Sequence, residues 1–242
     1  MGHNRFYLRP IKDGHVEIEG HEAHHMRRVR RVAVGDTVEL FDGLGQLAMA
    51  KVASIDPNKI GLDIERIDLL QPRKKGRIIL AVSLAKGDRF DLLISKCTEL
   101  GVDHICPILF KRTVKLARGK NLMGRYEKLV IAAAKQCGRP LLPLINLPLE
   151  FHDSLTFLSE TYPQSQWLIG SLDDGAPYLI DMPQDGQDTV VFVGPEGDVT
   201  AEERQILHDR RAQDVCLVDS VLRVETAAMA FVAILAARRG CK

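Results

Sequence analysis

No CxxC pair occurs in this chain, and its five cysteines, Cys97, Cys106, Cys137, Cys216 and Cys241, are odd in number and scattered. That spacing argues against a disulfide framework or a zinc site and reads as reduced, mostly buried small hydrophobes. Neither GxGxxG nor GxxxxGK[ST] is present, which disfavours use of a dinucleotide or a nucleoside triphosphate. No apolar run is long enough to span a bilayer, and no n-region, h-region and cleavage site open the chain. A cytoplasmic protein without a membrane partner is therefore expected. No Ser/His/Asp grouping is readable from spacing, and the formal net charge of only +1 selects no partner.

Basic residues are also missing from one long stretch, since no Lys or Arg lies between Pro140 and Glu203. They concentrate instead in three earlier places: Arg27, Arg28, Arg30 and Arg31; Arg73, Lys74, Lys75 and Arg77; and Lys111, Arg112, Lys115, Arg118 and Lys120. An acidic tract at Asp173, Asp174, Asp181, Asp185 and Asp188 compensates. Any one basic stretch reads as a solvated surface. Three together describe a basic face on a near-neutral chain, suited to phosphate contacts and a nucleic acid partner.

With 242 residues and 45% apolar composition the chain can build one large core or two modest ones. Residues 1–70 alternate and turn often, with strands expected at Arg5–Leu8, His15–Glu19, Thr37–Phe41, Leu47–Ile55 and Ile60–Ile67 and one helix from His21 to Val32. This pattern reads as a small β-barrel or sandwich. The polar, basic segment QPRKKG, residues 71–76, reads as a linker. From Arg77 the pattern becomes α/β: Ile78–Leu84 is a continuous apolar run expected for a strand buried on both faces, and a helix over Arg89–Leu100 closes at Gly101. Strands and helices then alternate through residue 242, which predicts a mostly parallel sheet.

Within the first domain, His21-Glu22-Ala23-His24-His25 fits H-E-x-x-H, which on a helix aligns two zinc ligands and a general base. The motif lies at a helix start, runs into Arg27 and Arg28, and has no third ligand following. It is read as a polar helix whose basic side faces RNA, with no metal expected.

Three loops in the second domain follow strands: Ile169-Gly170-Ser171, Gly194 to Gly197, and Leu217 to Glu225. Ligands in open α/β sheets sit beyond the carboxyl ends of strands, and glycine there admits a ligand close to the backbone. Thr200 and Glu203 form the sequence pattern of a capping box for the helix after the second loop. The residues by themselves therefore describe a ligand-binding α/β domain acting on nucleic acid.

Four ordered segments add a resemblance. KGDRFDLLISKCTELGV (residues 86–102), AAAKQCGRP (132–140), VGPEG (193–197) and LRVETAA (222–228), together with HHMRRVRRVAVGDTVELFDGLG (24–45), resemble the RsmE family across nearly the whole chain. Members of that family use S-adenosyl-L-methionine to methylate N3 of a uridine in small-subunit (16S) ribosomal RNA. The resemblance implies a PUA-like β-barrel domain followed by a SPOUT methyltransferase domain with a trefoil knot, assembled as a homodimer for which the Ala-rich last helix is a packing face. It further implies a cofactor pocket lined by Leu168, Ile169 and Gly170; by Gly194, Glu196 and Gly197; and by Leu217, Val218, Ser220, Leu222 and Val224. Arg223 is then the expected stabiliser of the uracil imide anion, with Glu225 or Glu196 as base or orienting group. RNA contacts are expected from Arg27, Arg28, Arg30, Arg31, Lys86, Arg89 and Arg139, on ribosomal RNA or the assembled small subunit.

The chain departs from the family pattern at Asp198, which replaces the last Gly of GPEGG, and at Val218 and Ser220, which replace the Gly and Arg of Leu-Gly-x-Arg. Val224 stands in place of Thr, and Ala132 in place of Glu. A Val at a ligand-facing backbone predicts a narrower pocket, while Asp at position 198 suits a left-handed backbone. The other reading of these departures is a binding protein, an assembly factor that holds ribosomal RNA with weak or absent catalysis.

Overall fold

In the computed structural model, residues 4–114, 121–173, 175–183 and 186–239 are described. Lys115, Arg118, Lys120, Asp174, Asp185 and Cys241 lie outside these residues. The chain divides into two compact units, residues 1–72 with 134–142, and residues 73–133 with 143–242. Residues 134–142 thus belong to the first unit, although their place in the sequence puts them beyond the 71–76 linker.

The first unit is built on a five-stranded sheet of β1 (Arg5–Tyr7), β2 (His15–Glu19), β3 (Thr37–Phe41), β4 (Gln46–Ile55) and β5 (Lys59–Leu69), in the order β1-β3-β4-β5-β2. β1 runs parallel to β3, and the other pairs are antiparallel. Register shifts between Met49 and Ala50 and between Val52 and Ser54 bend the long β4–β5 pair, as extra residues in a ladder do. Alternate residues of these strands, including Phe6, Ile18, Val38, Leu40, Ala48, Ala50, Ile60 and Leu62, fill one core. The helix expected over residues 21–32 is shorter and changes register. α1 (Gly20–His24) passes into a π-helical turn, His25–Val29, before Arg31 enters the left-handed region at φ 52°.

The H-E-x-x-H segment at this helix is held by contacts within the first unit. Glu22 accepts hydrogen bonds from Tyr7 N at 3.0 Å and from Lys135 Nζ at 2.7 and 2.8 Å. The same ammonium lies 3.2 Å from His25 Nδ1. Lys135 therefore occupies both the Glu22 carboxylate, the would-be general base, and the His25 ring, one would-be zinc ligand, and the motif anchors residues 134–142 to the first unit. Burial and the Lys135 charge push the His25 imidazole below its ordinary value.

The second unit carries a wholly parallel sheet. Its strands are β6 (Ile78–Ser83), β7 (His104–Leu109), β8 (Leu144–Ile145), β9 (Leu149–Glu150), β10 (Gln166–Gly170), β11 (Thr189–Val193) and β12 (Gln213–Val215), and the order is β12-β10-β11-β6-β7-β8, with β9 also on β7. Every residue of β6 is buried, which is why that strand reads as an unbroken apolar run. On one face, Ile79, Cys106, Ile169 and Phe192 pack with α4 (Phe151–Thr161) and α5 (Ala201–Asp209). On the other, α6 (Val224–Arg238) packs on β6 and β11 and against α2 (Asp88–Leu100).

α2 ends where Gly101 takes φ 98°, with Gly101 N donating to Thr98 O and Val102 N to Cys97 O, a glycine-closed C-terminus. α5 begins with the expected capping box: Thr200 Oγ1 accepts from Glu203 N, and Glu203 Oε2 accepts from Thr200 N at 2.8 Å. α3 (Leu122–Cys137) is the helix that runs from the second unit into residues 134–142. Among the described residues, no helix is long and apolar enough to cross a membrane.

Candidate functional site

The sheet order places β10 between β11 and β12, so three loops that are distant in sequence leave the same sheet edge side by side. Between them lies a pocket of about 530 Å³. Its floor and walls come from Gly170 to Asp173 after β10, Val193 to Asp198 around the end of β11, Val215 to Val224 after β12, and Ala227 and Phe231 of α6. Pockets of a few hundred cubic ångströms with mostly apolar walls and a few polar groups are suited to molecules of cofactor size.

Two glycines are fixed by close approach. A Cβ on Gly170 would stand 3.2 Å from Phe231 Cε2, and one on Gly194 would stand 3.0 Å from Val199 Cγ1 and 3.2 Å from Val199 N. A Cβ on Gly197 would meet only Arg112 Cδ at 3.6 Å, an ordinary contact, so the requirement there is not set by packing. Asp198 does take the left-handed backbone anticipated for it, at φ 58°.

Of the residues expected at a cofactor, Gly170, Gly194, Glu196, Gly197, Leu217, Val218, Ser220, Leu222 and Val224 line the pocket. Leu168 and Ile169 do not: both side chains are buried inside the sheet, Ile169 within the α4/α5-side core. Val218 lines the pocket and is 42% exposed. Ser171, in the first of the three loops expected to face a ligand, also lines the pocket, whereas sequence spacing missed Leu172, Asp173, Asp198, Arg204 and Phe231. Phe231 had a signal in the small residue opposite it, Gly170, but only the strand order identifies the pair.

The charged groups expected to act on a substrate gather at the pocket rim. Arg89, in the first turn of α2, donates to Glu196 Oε1, and its Nη1 stands 4.0 Å from Glu225 Oε1. This hydrogen bond, the Arg89 charge and the neighbouring Lys86 and Arg223 charges hold the Glu196 carboxyl below the ordinary carboxylate range. Glu225, in the first turn of α6, is buried, and its Oε2 has no hydrogen-bond partner among the described residues. Arg223 is exposed and occupies the N-cap position of the same helix.

Of the remaining expected RNA contacts, Lys86 is exposed just before α2 in the second unit. In the first unit Arg28, Arg30 and Arg31 are exposed, Arg27 donates to Asp56 O at 3.4 Å, and Arg139 is half-buried. Arg77 and Asp188, counted above in a basic stretch and an acidic tract, instead pair with each other at the amino ends of the adjacent strands β6 and β11, with the Arg77 guanidinium 4.7 Å from the centre of the Tyr162 ring. Arg112 donates to Gly197 O at 2.5 Å and so supports the pocket loop. Among the described residues no group of His, Cys, Asp and Glu is arranged to hold a metal ion.

Comparison with known proteins follows the division of the chain. Residues 72–236 match the family model described as an RNA methyltransferase domain, and residues 18–65 match an RNA methyltransferase PUA domain. The ribosomal RNA small subunit methyltransferase E of Rickettsia conorii is 27% identical over 243 residues, covering 96% of this chain and 95% of its own. Its counterpart in Aquifex aeolicus is 28% identical over 234 residues, covering 95% and 97%. Among solved structures, ribosomal RNA small subunit methyltransferase E from Neisseria gonorrhoeae, bound to S-adenosyl methionine, is similar with a TM-score of 0.86 at 28% identity over 98% of each chain.

Proposed function

The chain belongs to the RNA methyltransferase family, and from that premise we propose a defined reaction: methylation of N3 of a uridine in small-subunit (16S) ribosomal RNA, with S-adenosyl-L-methionine as donor. The observation that carries this reading is the pocket at the adjoining ends of β10, β11 and β12, with Arg89, Glu196, Arg223 and Glu225 at or beside its rim.

The residues present fit that cofactor. Leu217, Leu222, Val224 and Phe231 offer apolar surface for an adenine ring, and the backbone at Gly194 to Gly197 is accessible for hydrogen bonding. Asp173 adds a carboxylate suited to a cationic or hydroxylated ligand. When bound, the sulfonium supplies an activated methyl group, so no metal is required.

What remains for the protein is to orient the uracil and manage its N3 proton, whose ordinary pKa is well above neutrality. Arg223 is assigned to the imide anion, which it stabilises as charge develops on the ring. Glu196, held anionic by Arg89, is a weakened base and is assigned an orienting role. Glu225 is assigned as proton acceptor, because its Oε2 carries a lone pair that no described residue engages. Lys86 and the exposed arginines 28, 30 and 31 are assigned to RNA phosphates, with residues 1–70 as the RNA-binding barrel and residues 77–242 as the transferase. The Ala-rich face of α6, where Ala230, Ala233 and Ala237 are only partly covered, suits close packing of a second copy. With ribosomal RNA as the proposed substrate, the protein is assigned to the cytoplasm.

Calorimetric titration of the metal-free protein with S-adenosyl-L-methionine, followed by methyl transfer to small subunits lacking the mark, tests this reading. One cofactor per subunit and N3-methyluridine in the product support it. A folded protein that binds ribosomal RNA but binds no S-adenosyl-L-methionine, either alone or with RNA bound, would be a non-catalytic assembly factor instead.

A further inference from the structure

Arg204 is the one cationic side chain among the described residues that line the pocket, and it is not free to meet a ligand's charge. From α5, its Nη2 donates to Asp198 Oδ2 at 3.0 Å and its Nη1 donates to Asp214 Oδ1. Asp198 belongs to the loop after β11, and Asp214 lies in β12, immediately ahead of the loop that forms the opposite wall. His208 Nε2, one turn further along α5, meets the second oxygen of Asp214 at 2.6 Å and fixes that carboxylate from the other side. The Arg204 side chain is 18% exposed and that of Asp214 24%, so solvent screens this pair less than the Arg204–Asp198 pair, whose carboxylate is 62% exposed.

Asp198 has its own reason to need the bridge. It sits at φ 58°, a conformation that a residue with a Cβ adopts at a cost and glycine adopts freely. The turn is closed by Asp198 N to Pro195 O at 2.9 Å, and Asp198 Oδ1 accepts from Val199 N at 2.7 Å. Its remaining oxygen is the one Arg204 holds.

Resting on the cofactor reading above, we infer that Arg204 is a positioning residue for the cofactor pocket: by holding Asp198 and Asp214 together it sets the spacing of the two loops that face the ligand. Asp198 is then more than a replacement for glycine in the turn. It is the loop's half of the bridge, so relaxing its backbone with glycine should harm binding rather than help it.

The test is a double-mutant cycle of Arg204→Met and Asp198→Gly, read by calorimetry with S-adenosyl-L-methionine, with thermal unfolding measured in parallel. Each single variant is expected to weaken cofactor binding roughly tenfold, and the double variant by no more than either alone, as for residues in one network. Arg204→Lys, which can keep one of the two pairs, should recover part of the loss. Asp198→Gly binding as tightly as the unaltered protein, or two additive losses, would overturn the inference. Hydrogen exchange separates its failure from that of the cofactor reading. Even if the unaltered protein bound no cofactor, Arg204→Met must speed exchange at amides in residues 194–199 and 217–222, and unchanged exchange there refutes the bridge.

Discussion

Arg89 and Glu196 form an ion pair across the pocket rim, joining the first turn of α2 to the loop after β11. Arg89 also stands within 4.0 Å of Glu225 at the start of α6, so one guanidinium faces both carboxylates assigned to the reaction. An arginine expected to grip RNA thus has an internal task. Substitution at this position should alter the chemistry of the site as well as the affinity for RNA.

Replacing Arg89 with Gln removes the main cause of the lowered Glu196 pKa. The folded carboxyl then titrates at higher pH, and any step that needs Glu196 ionised is lost earlier as pH falls. The acid limb of kcat/KM for methyl transfer is expected to move to higher pH in Arg89→Gln, with kcat reduced roughly tenfold or more through lost orientation. An acid limb identical to that of the unaltered enzyme would remove Glu196 from the mechanism.

The two glycines of GPEG should separate under substitution. Gly194→Ala places a Cβ 3.0 Å from Val199 Cγ1, an overpacking expected to cost about 1–3 kcal/mol of stability and to weaken cofactor binding as well. Gly197→Ala meets nothing closer than Arg112 Cδ at 3.6 Å and should leave the unfolding midpoint alone, while any ligand that packs on the backbone of this pocket-lining residue should bind more weakly. Unfolding midpoints and calorimetric affinities for both variants check this, and unchanged affinity in Gly197→Ala would show that the ligand keeps away from residue 197.

In the first unit, the Glu22 and Lys135 side chains are 17% and 15% exposed. Lys135→Met leaves the Glu22 carboxylate largely buried and short of a partner, which should lower stability by about 2 kcal/mol or more. Urea unfolding followed by a probe in the first unit reads the loss. The Glu22→Gln, Lys135→Met double variant should lose less than the sum of the single variants.

His104 is buried between Tyr162 and Asn146, hydrogen-bonded to the Tyr162 hydroxyl at 2.7 Å and to Asn146 Oδ1. Burial pushes its pKa down. Above the ordinary histidine value, about 6.5, both folded and unfolded states are neutral and the group adds no pH dependence. Below it the unfolded chain takes up the proton first, so stability falls with pH until the folded pKa is passed. The acid side of the stability curve should be shallower in His104→Gln, measured by denaturant unfolding between pH 7 and 5; equal slopes in the two proteins would contradict it.

Burial pushes the Cys97 and Cys106 thiols up to about 12, whereas Cys137 is exposed. A thiol reagent at neutral pH should modify Cys137 in the folded protein and reach Cys97 and Cys106 only after unfolding. Mass-spectrometric mapping of modified sites decides it.

Much of this architecture was legible along the chain. The strand set of the first unit, the unbroken run at β6, the glycine that closes α2 and the capping box at Thr200 and Glu203 are each produced by neighbours in sequence. Local backbone preference and side-chain alternation specify them, and both are printed in a handful of consecutive residues. The positive φ at Asp198 belongs to the same class, as does the placing of ligand-facing loops after β10, β11 and β12.

The sequence by itself therefore determined where most strands and helices form, residues 21–32 excepted, which strand ends carry the glycines, and which family the motifs resemble. Only the tertiary structure decided that β10 lies between β11 and β12, that residues 134–142 join the first unit through Glu22 and Lys135, and that Arg204 bridges the pocket loops. The reason is physical. A turn or a cap depends on atoms a few residues apart, whereas an ion pair such as Arg89–Glu196 depends on where two distant segments are delivered by sheet order and helix packing, and no periodicity in the chain records that delivery.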